Sequence, residues 1–249
     1  MEKANTQTYM KELVKKSRAA QRKFEREYND QHAIDEVVRV RVFAKPLGVI
    51  GCIMPSTNPT GTVIGSAMAA IKARNSVIIA PHPMTAHTSY EMSNYIRAGL
   101  EAIGAPADLL LCIEPDMCSI EATSTMLESC DANIGVGGPG MVKAVYSCGK
   151  PGFGVGMGNC QALLDEDYPD FGAACVAMVG GRTFQNGVTC TSEQTIHVPA
   201  AREDEFLKAM DNAGGYLITD PEEIDKLTDL IFPNGGPINR KIVGRPIQE

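Results

Sequence analysis

The sequence predicts an α/β protein, a mainly parallel sheet domain followed by part of a second α/β domain. Three observations carry this. From residue 39 onward, short apolar runs alternate with segments of helical length. Several of those runs are apolar throughout rather than at every second position, and turns rich in Gly, Pro or Asn follow them. Strands buried on both faces have this continuous apolar character, because helices cover both sides of a parallel sheet.

In chain order, residues 8–29 predict an amphipathic helix with Tyr9, Leu13, Ala20, Phe24 and Tyr28 on one face. It reads as a surface helix docked on a core; a membrane-surface or partner-binding role is disfavoured because acids are interleaved with the bases. Strands are predicted at 40–43 and 47–54, a helix at 61–72, and an apolar strand at 76–80. A helix at 89–103, a strand at 109–113 and a helix at 119–129 follow. Next come a strand at 132–136, a glycine turn and a helix at 141–147. Glycine at alternate positions, Gly152, Gly154, Gly156 and Gly158, reads as a seam between two lobes. Beyond it lie a helix at 171–179, a strand at 193–198, a helix at 201–213, and a last helix at 220–230 opened by Asp-Pro-Glu-Glu.

The expected organisation is an N-terminal helical segment over 1–38, a nucleotide-binding domain over 39–156 and a partial catalytic domain over 157–249. Ligands on parallel sheets bind beyond the carboxyl ends of the strands. The loops at 55–60, 81–87 and 137–140 are therefore the places for chemistry.

Composition narrows the function classes. The 249 residues are 44% hydrophobic and 21% charged, enough for a sizeable core and unlike a disordered, collagen-like or coiled-coil chain. The formal net charge is −7, and although the first 45 residues carry eleven Lys/Arg against seven Asp/Glu, the remainder is acidic. A nucleic-acid binder would show an excess of bases. No apolar stretch approaches the ~20 residues that cross a bilayer, and the start lacks the apolar core of a secretory signal. A soluble, cytoplasmic protein is expected. The eight cysteines contain no CxxC pair, which argues against a zinc ribbon and a secreted disulfide scaffold. His82 sits at a predicted strand end; His32, His87 and His197 read as surface or strand residues. With no ligand at metal spacing, no metal site is expected.

Three stretches could carry chemistry. Gly135-Val-Gly137-Gly138-Pro139-Gly140 fits G-x-G-x-x-G between a strand and a helix, where glycines let a phosphate approach helix amides. A plain tight turn accounts for it equally well, and Asp165 is an uncertain acidic partner. Cys190 lies in a polar Asn-Gly loop, unlike Cys112 and Cys175 in apolar runs; a nucleophilic thiol needs that access. Asn58, in Met-Pro-Ser-Thr-Asn-Pro-Thr, is either a helix cap or a side-chain amide donor at the mouth of the sheet.

Taken together and in this order, KPLGVIGCIMPSTNPT (45–60), KARNSVIIAPHP (72–83), GGPGMVKAVYSCGKPGFGVGMGN (137–159) and RTFQNGVTCTSEQ (182–194) resemble the aldehyde dehydrogenase superfamily. The likeness is closest to its coenzyme-A-acylating branch, which includes the aldehyde domain of bifunctional aldehyde–alcohol dehydrogenases and acylating succinate-semialdehyde dehydrogenase. It runs from about residue 39 to the end. The resemblance implies a Rossmann-like NAD(P)-binding domain and a catalytic domain. It makes Cys190 the catalytic nucleophile and Asn58, with the Cys190 backbone N–H, the oxyanion hole. It implies cofactor binding by Pro55, Ser56, His82, Pro83, Gly137, Gly138, Pro139, Gly140, Val155 and Gly156. The implied chemistry is attack of the thiolate on a short aldehyde, hydride loss to NAD or NADP, and transfer of the resulting thioester to coenzyme A, reversibly.

Hydrolytic members carry a glutamate base where this chain has Val155, and valine cannot take a proton from water. Glu193 is a weaker replacement, since it starts a predicted strand. Arg182 and Arg240 are guesses for a cationic contact to a charged substrate. Two departures from the family stand out: the first helix runs almost directly through 34–39 into the next strand, and the glutamate that contacts the nicotinamide ribose has no counterpart. The chain is therefore expected to be abridged. A homo-oligomer is expected of full-length relatives, and some acylating members reside in bacterial microcompartments. The alternatives are a hydrolytic aldehyde dehydrogenase and an inactive fragment that keeps nucleotide binding or an assembly role.

Overall fold

The computed structural model describes residues 3–27, 33–37, 40–239 and 241–246. Tyr28, His32, Arg39 and Arg240 lie outside them. The chain forms two compact units, Met1–Met157 and Gly158–Glu249.

The first unit opens with α1 (Lys3–Glu27), followed by β1 (Ala33–Val37), β2 (Val40–Phe43), β3 (Val49–Ile53), α2 (Pro59–Lys72), β4 (Ser76–Ala80) and α3 (Ala86–Ala102). It continues through β5 (Leu110–Cys112), α4 (Ile120–Ser129), β6 (Ala132–Val136), α5 (Pro139–Ser147) and β7 (Gly152–Val155). Five strands make one parallel sheet in the order β5-β4-β3-β6-β7. The expected α/β fold is therefore present.

Alternation along each strand feeds two cores. Ile50, Cys52, Val77, Ile79, Leu110 and Cys112 point to the face covered by α2 and α3, through Val63, Ala67, Ala70 and Leu100. Val49, Ile53, Ile78, Ala80 and Leu111 point to the face covered by α1, α4 and α5, through Met10, Ala122, Met126 and Val145. Each fully buried Val, Ile or Leu contributes about 2 kcal/mol. The first helix is thus docked, with Met10, Ser17 and Gln21 buried.

Two polar anchors set how the chain joins the central strand. Asp131 accepts from the Val49 amide at 2.8 Å and pairs with Arg18 of α1 at 3.0 Å. Asn75, in a turn where Arg74 adopts φ +61°, accepts from the Leu47 and Gly48 amides at 2.6 and 3.0 Å.

Two sequence expectations change. Residues 34–39 do not simply lead into the next strand, because 33–37 form β1, paired antiparallel with β2. The alternating glycines do end where one unit gives way to the next, at Met157 and Gly158, but 152–155 are also a strand, β7, parallel to β6. The reason is close packing. A Cβ on Gly152 would lie 2.9 Å from Val145, and one on Gly154 would lie 2.9 Å from both Val142 and Tyr146 of α5. The absent side chains let the helix sit against the strand, a use of glycine that mimics a turn signal in sequence.

The second unit contains β8 (Cys160–Leu163), α6 (Phe171–Thr183), β9 (Glu193–His197), α7 (Glu203–Asn212) and α8 (Pro221–Ile231). Strands β8 and β9 pair in parallel around α6, whose Phe171, Cys175 and Met178 form a small core with Leu164. Arg202 fastens this unit: its guanidinium lies 3.7 Å from the Phe171 ring centroid, pairs with Glu205, and donates to the Glu166 and Tyr168 carbonyls.

Because the buried Asn75 satisfies two part-buried backbone donors next to β3, Asn75→Ala leaves them without that partner. It should lower the stability of the first unit by about 2 kcal/mol, read from urea unfolding. A change below 0.5 kcal/mol, roughly the surface-substitution scatter, would show that water replaces the side chain there.

Candidate active site

The strand order reverses between β3 and β6, the point where open parallel sheets leave a crevice at their carboxyl ends. A cleft of about 210 Å³ lies there, lined by residues that include Met54, Pro81, His82, Pro83, Gly137 and Gly138. The sequence-selected loops at 81–87 and 137–140 thus meet in one place. Pro139 and Gly140 form the first turn of α5, with Gly138 as its N-cap. Pro55 and Ser56 lie in the bend from β3 to α2; Val155 ends β7, and Gly156 follows it.

This cleft fits part of a dinucleotide. First-turn amides of a helix have no intrahelical acceptor and favour an anion. A Cβ at Gly138 or Gly140 would meet nothing within 4 Å, so the backbone is open to close approach. The Gly137 amide is different: it donates to the Val155 carbonyl at 3.0 Å and so ties the turn to β7. His82 is held too, its Nδ1 accepting from the Met84 amide at 3.2 Å. Sequence reasoning missed Cys118, Ser119 and Thr123, which line the same cleft. Ser119 before a helical run was a legible cap, and it does cap α4 through the Ala122 amide. Asp165 belongs to the second unit, where its carboxylate accepts from the Asp167 amide.

Asn58 serves as the cap of α2, and in doing so frees a donor. Its Oδ1 accepts from the Gly61 amide at 3.2 Å, which fixes the orientation of the exposed side-chain amide. Nδ2 donates to no described residue. The Asn58 carbonyl meanwhile accepts from Thr62, both from its amide and from its hydroxyl at 2.6 Å.

Cys190 lies in the second unit, on the turn between α6 and β9. It is the one exposed cysteine; Cys52, Cys112, Cys130 and Cys175 are buried. Burial pushes the Cys52, Cys112 and Cys130 thiols up to about 12, leaving them inert at neutral pH. Gln185, Asn186 and Gly187 take left-handed conformations in succession before Cys190, with φ of +51°, +54° and +72°. The Glu193 carboxylate rests against Gly181 of α6, where an added Cβ would come within 2.5 Å of its Oε2. Arg182 is engaged with the turn, donating to Ser192 Oγ at 2.9 Å. Among the described residues, no group of three His, Cys, Asp or Glu could hold a metal ion. Nor is any described helix long and apolar enough to cross a membrane.

The aldehyde dehydrogenase family profile matches residues 2–228. The chain belongs to the aldehyde dehydrogenase family. Acetylating succinate-semialdehyde dehydrogenase of Clostridium kluyveri is 39% identical over 215 residues, covering 86% of this chain and 47% of that protein. Among solved structures, an acetylating aldehyde dehydrogenase of Geobacillus thermoglucosidasius superposes with a TM-score of 0.76 at 29% identity. That match covers 100% of this chain and 61% of the other. Propionaldehyde dehydrogenase of Rhodopseudomonas palustris with bound propionyl-CoA gives 0.75 at 28% identity, over 97% and 61% of the two chains. The chain thus spans about half the length of the curated relative, and less than two thirds of each of these solved chains.

The thiol environments predict a labelling order. With iodoacetamide at pH 8 and peptide mass analysis, Cys190 should be alkylated first, and Cys52, Cys112 and Cys130 only after denaturant is added. Early labelling of Cys52 would mean that the sheet core opens in the native state.

Proposed function

We propose that this family member oxidises a short aldehyde to its acyl-CoA, reversibly, through a thioester on Cys190. The observation that carries the reading is the exposed Cys190 on a turn fastened on both sides; the resemblance adds that an apolar Val155 stands where hydrolytic members carry a glutamate. Residues 39–156 hold the dinucleotide, through His82, Pro83 and the 137–140 turn, with Pro55, Ser56, Val155 and Gly156 beside them. Residues 157–249 carry the nucleophile.

The chemistry follows from what each side chain offers. As a thiolate, Cys190 adds to the aldehyde carbon. Asn58 Nδ2 and the Cys190 amide donate to the oxygen as it becomes negative, stabilisation that one such donor typically makes worth 10²–10³-fold in rate. A bound nicotinamide dinucleotide, NAD or NADP, supplies the hydride acceptor. Val155 then leaves the Cys190 thioester without a base to activate water, so the incoming thiol of coenzyme A releases the acyl group. The partners are a small aldehyde and coenzyme A rather than nucleic acid or a membrane, in keeping with a net charge of −7. Eight well-separated cysteines suit the reducing cytoplasm, and a homo-oligomer is expected of full-length relatives.

NADH formation from a panel of short aldehydes, with and without coenzyme A, tests the reading. Signal only with coenzyme A is expected, and Cys190→Ala should abolish it while dinucleotide binding survives. Signal without coenzyme A would replace the acylating reading by hydrolysis. Silence in both from a folded sample would leave nucleotide binding as the function.

A second test addresses Asn58. A Cβ at position 61 would lie 2.7 Å from its Oδ1 and 2.8 Å from its Nδ2, so Gly61→Ala must displace the amide. Alanine favours the helix by up to about 1 kcal/mol, which offsets the roughly 1 kcal/mol lost with the Asn58 cap, so Tm should change little while kcat falls about tenfold or more. Unchanged kcat would remove Asn58 from the reaction.

A further inference from the structure

The turn that presents Cys190 is strained. Two non-glycine residues in succession, Gln185 and Asn186, occupy the left-handed region, and Gly187 follows. Each such residue costs roughly 1 kcal/mol or more and persists only where its surroundings hold it. Three attachments do so. Asn186 Nδ2 donates to the Gly244 carbonyl at 3.0 Å, the Val188 amide donates back to the Gln185 carbonyl at 3.3 Å, and Arg182 spans the turn.

Arg182 sits in the last turn of α6. One guanidinium nitrogen, Nη1, donates to Ser192 Oγ at 2.9 Å and makes a longer 3.5 Å bond to the Gly187 carbonyl. These partners flank Cys190 on both sides, three residues before it and two after. Ser192 is 4% exposed and carries the tie further: its hydroxyl donates to the Thr189 carbonyl at 2.8 Å, and its amide reaches the same oxygen at 3.2 Å. The carbonyl of the residue immediately before Cys190 is therefore fixed by a chain that starts at the Arg182 cation. Bonds from a charged donor are about twice as strong as neutral ones.

We propose that Arg182, acting through Ser192, is the positioning residue for Cys190, setting the direction of its thiol and of its backbone amide. The proposal rests on Cys190 being the nucleophile. It gives Arg182 a role besides the sequence-based reading as a contact for a charged substrate, with Nη1 engaged by the turn.

The test combines kinetics with hydrogen exchange on Arg182→Ala, Arg182→Lys, Ser192→Ala and Cys190→Ala. Loss of the clamp should lower kcat for acylation about tenfold or more with KM within twofold, as misplacement of a reacting group does. Amides of 187–192 should exchange faster in Arg182→Ala and Ser192→Ala while β8 and β9 keep their protection. Arg182→Lys, which restores one donor, should recover part of both signals. Unchanged exchange at 187–192 in Arg182→Ala, or wild-type kcat in that variant, overturns the proposal. If Cys190→Ala still turns over, the nucleophile assignment itself falls. If Cys190→Ala is dead and Arg182→Ala is normal, only the positioning role falls.

Discussion

The reversal of strand order at β3 is the constraint on which the first unit depends. β3 is paired in parallel on both sides, with β4 and with β6, and every one of its residues is buried. Parallel pairing sends all the following loops out of the same end of the sheet. The reversal sends the crossover helices after β3 and β6 in opposite directions, which opens the crevice between their ends. The carboxylate of Asp131 secures that arrangement at the other end of the strand, by holding the first β3 amide and the Arg18 guanidinium together. A slip of one residue in β3 would exchange Ile50 and Cys52 with Val49 and Gly51 between two differently shaped cores.

Glycine has three separate uses in this chain, and only contact geometry tells them apart. Gly152 and Gly154 remove side chains so that α5 can lie on the edge strand. Gly61 does the same so that the Asn58 amide can fold over the first turn of α2. Gly138 and Gly140 face open space, the condition for a ligand to reach backbone amides. Dense glycine in sequence announces turns, yet the first two uses here are packing within regular structure.

The distribution of thiols separates structure from chemistry by solvent access. Five of the eight cysteines, Cys52, Cys112, Cys118, Cys130 and Cys175, have thiols pushed upward by burial. Cys190 stands instead on a short turn whose backbone strain is held by the Arg182 side chain of α6 and by the bond from the Asn186 side chain to the Gly244 carbonyl. Such a turn combines exposure with a fixed direction, which a flexible loop could not offer.

Much of this was legible from the residues alone. The continuous apolar run Ser76–Ala80 determined its strand, because a strand covered on both faces tolerates little else. Asp220 marked a helix start through its capping chemistry. The polar surroundings of Cys190 set it apart from the other thiols, and the collinear motifs determined the family. Tertiary structure decided the rest. That 152–155 are a strand depends on Val142, Val145 and Tyr146 arriving from a helix, which no local pattern records. That Cys118 lines the cleft depends on α4 starting beside β4, and that Arg182 holds the Cys190 turn depends on its reach to Ser192, ten residues on. Periodicity and capping act within a few residues and can be read directly. Contacts made across the fold exist only once the sheet and its helices have been assembled.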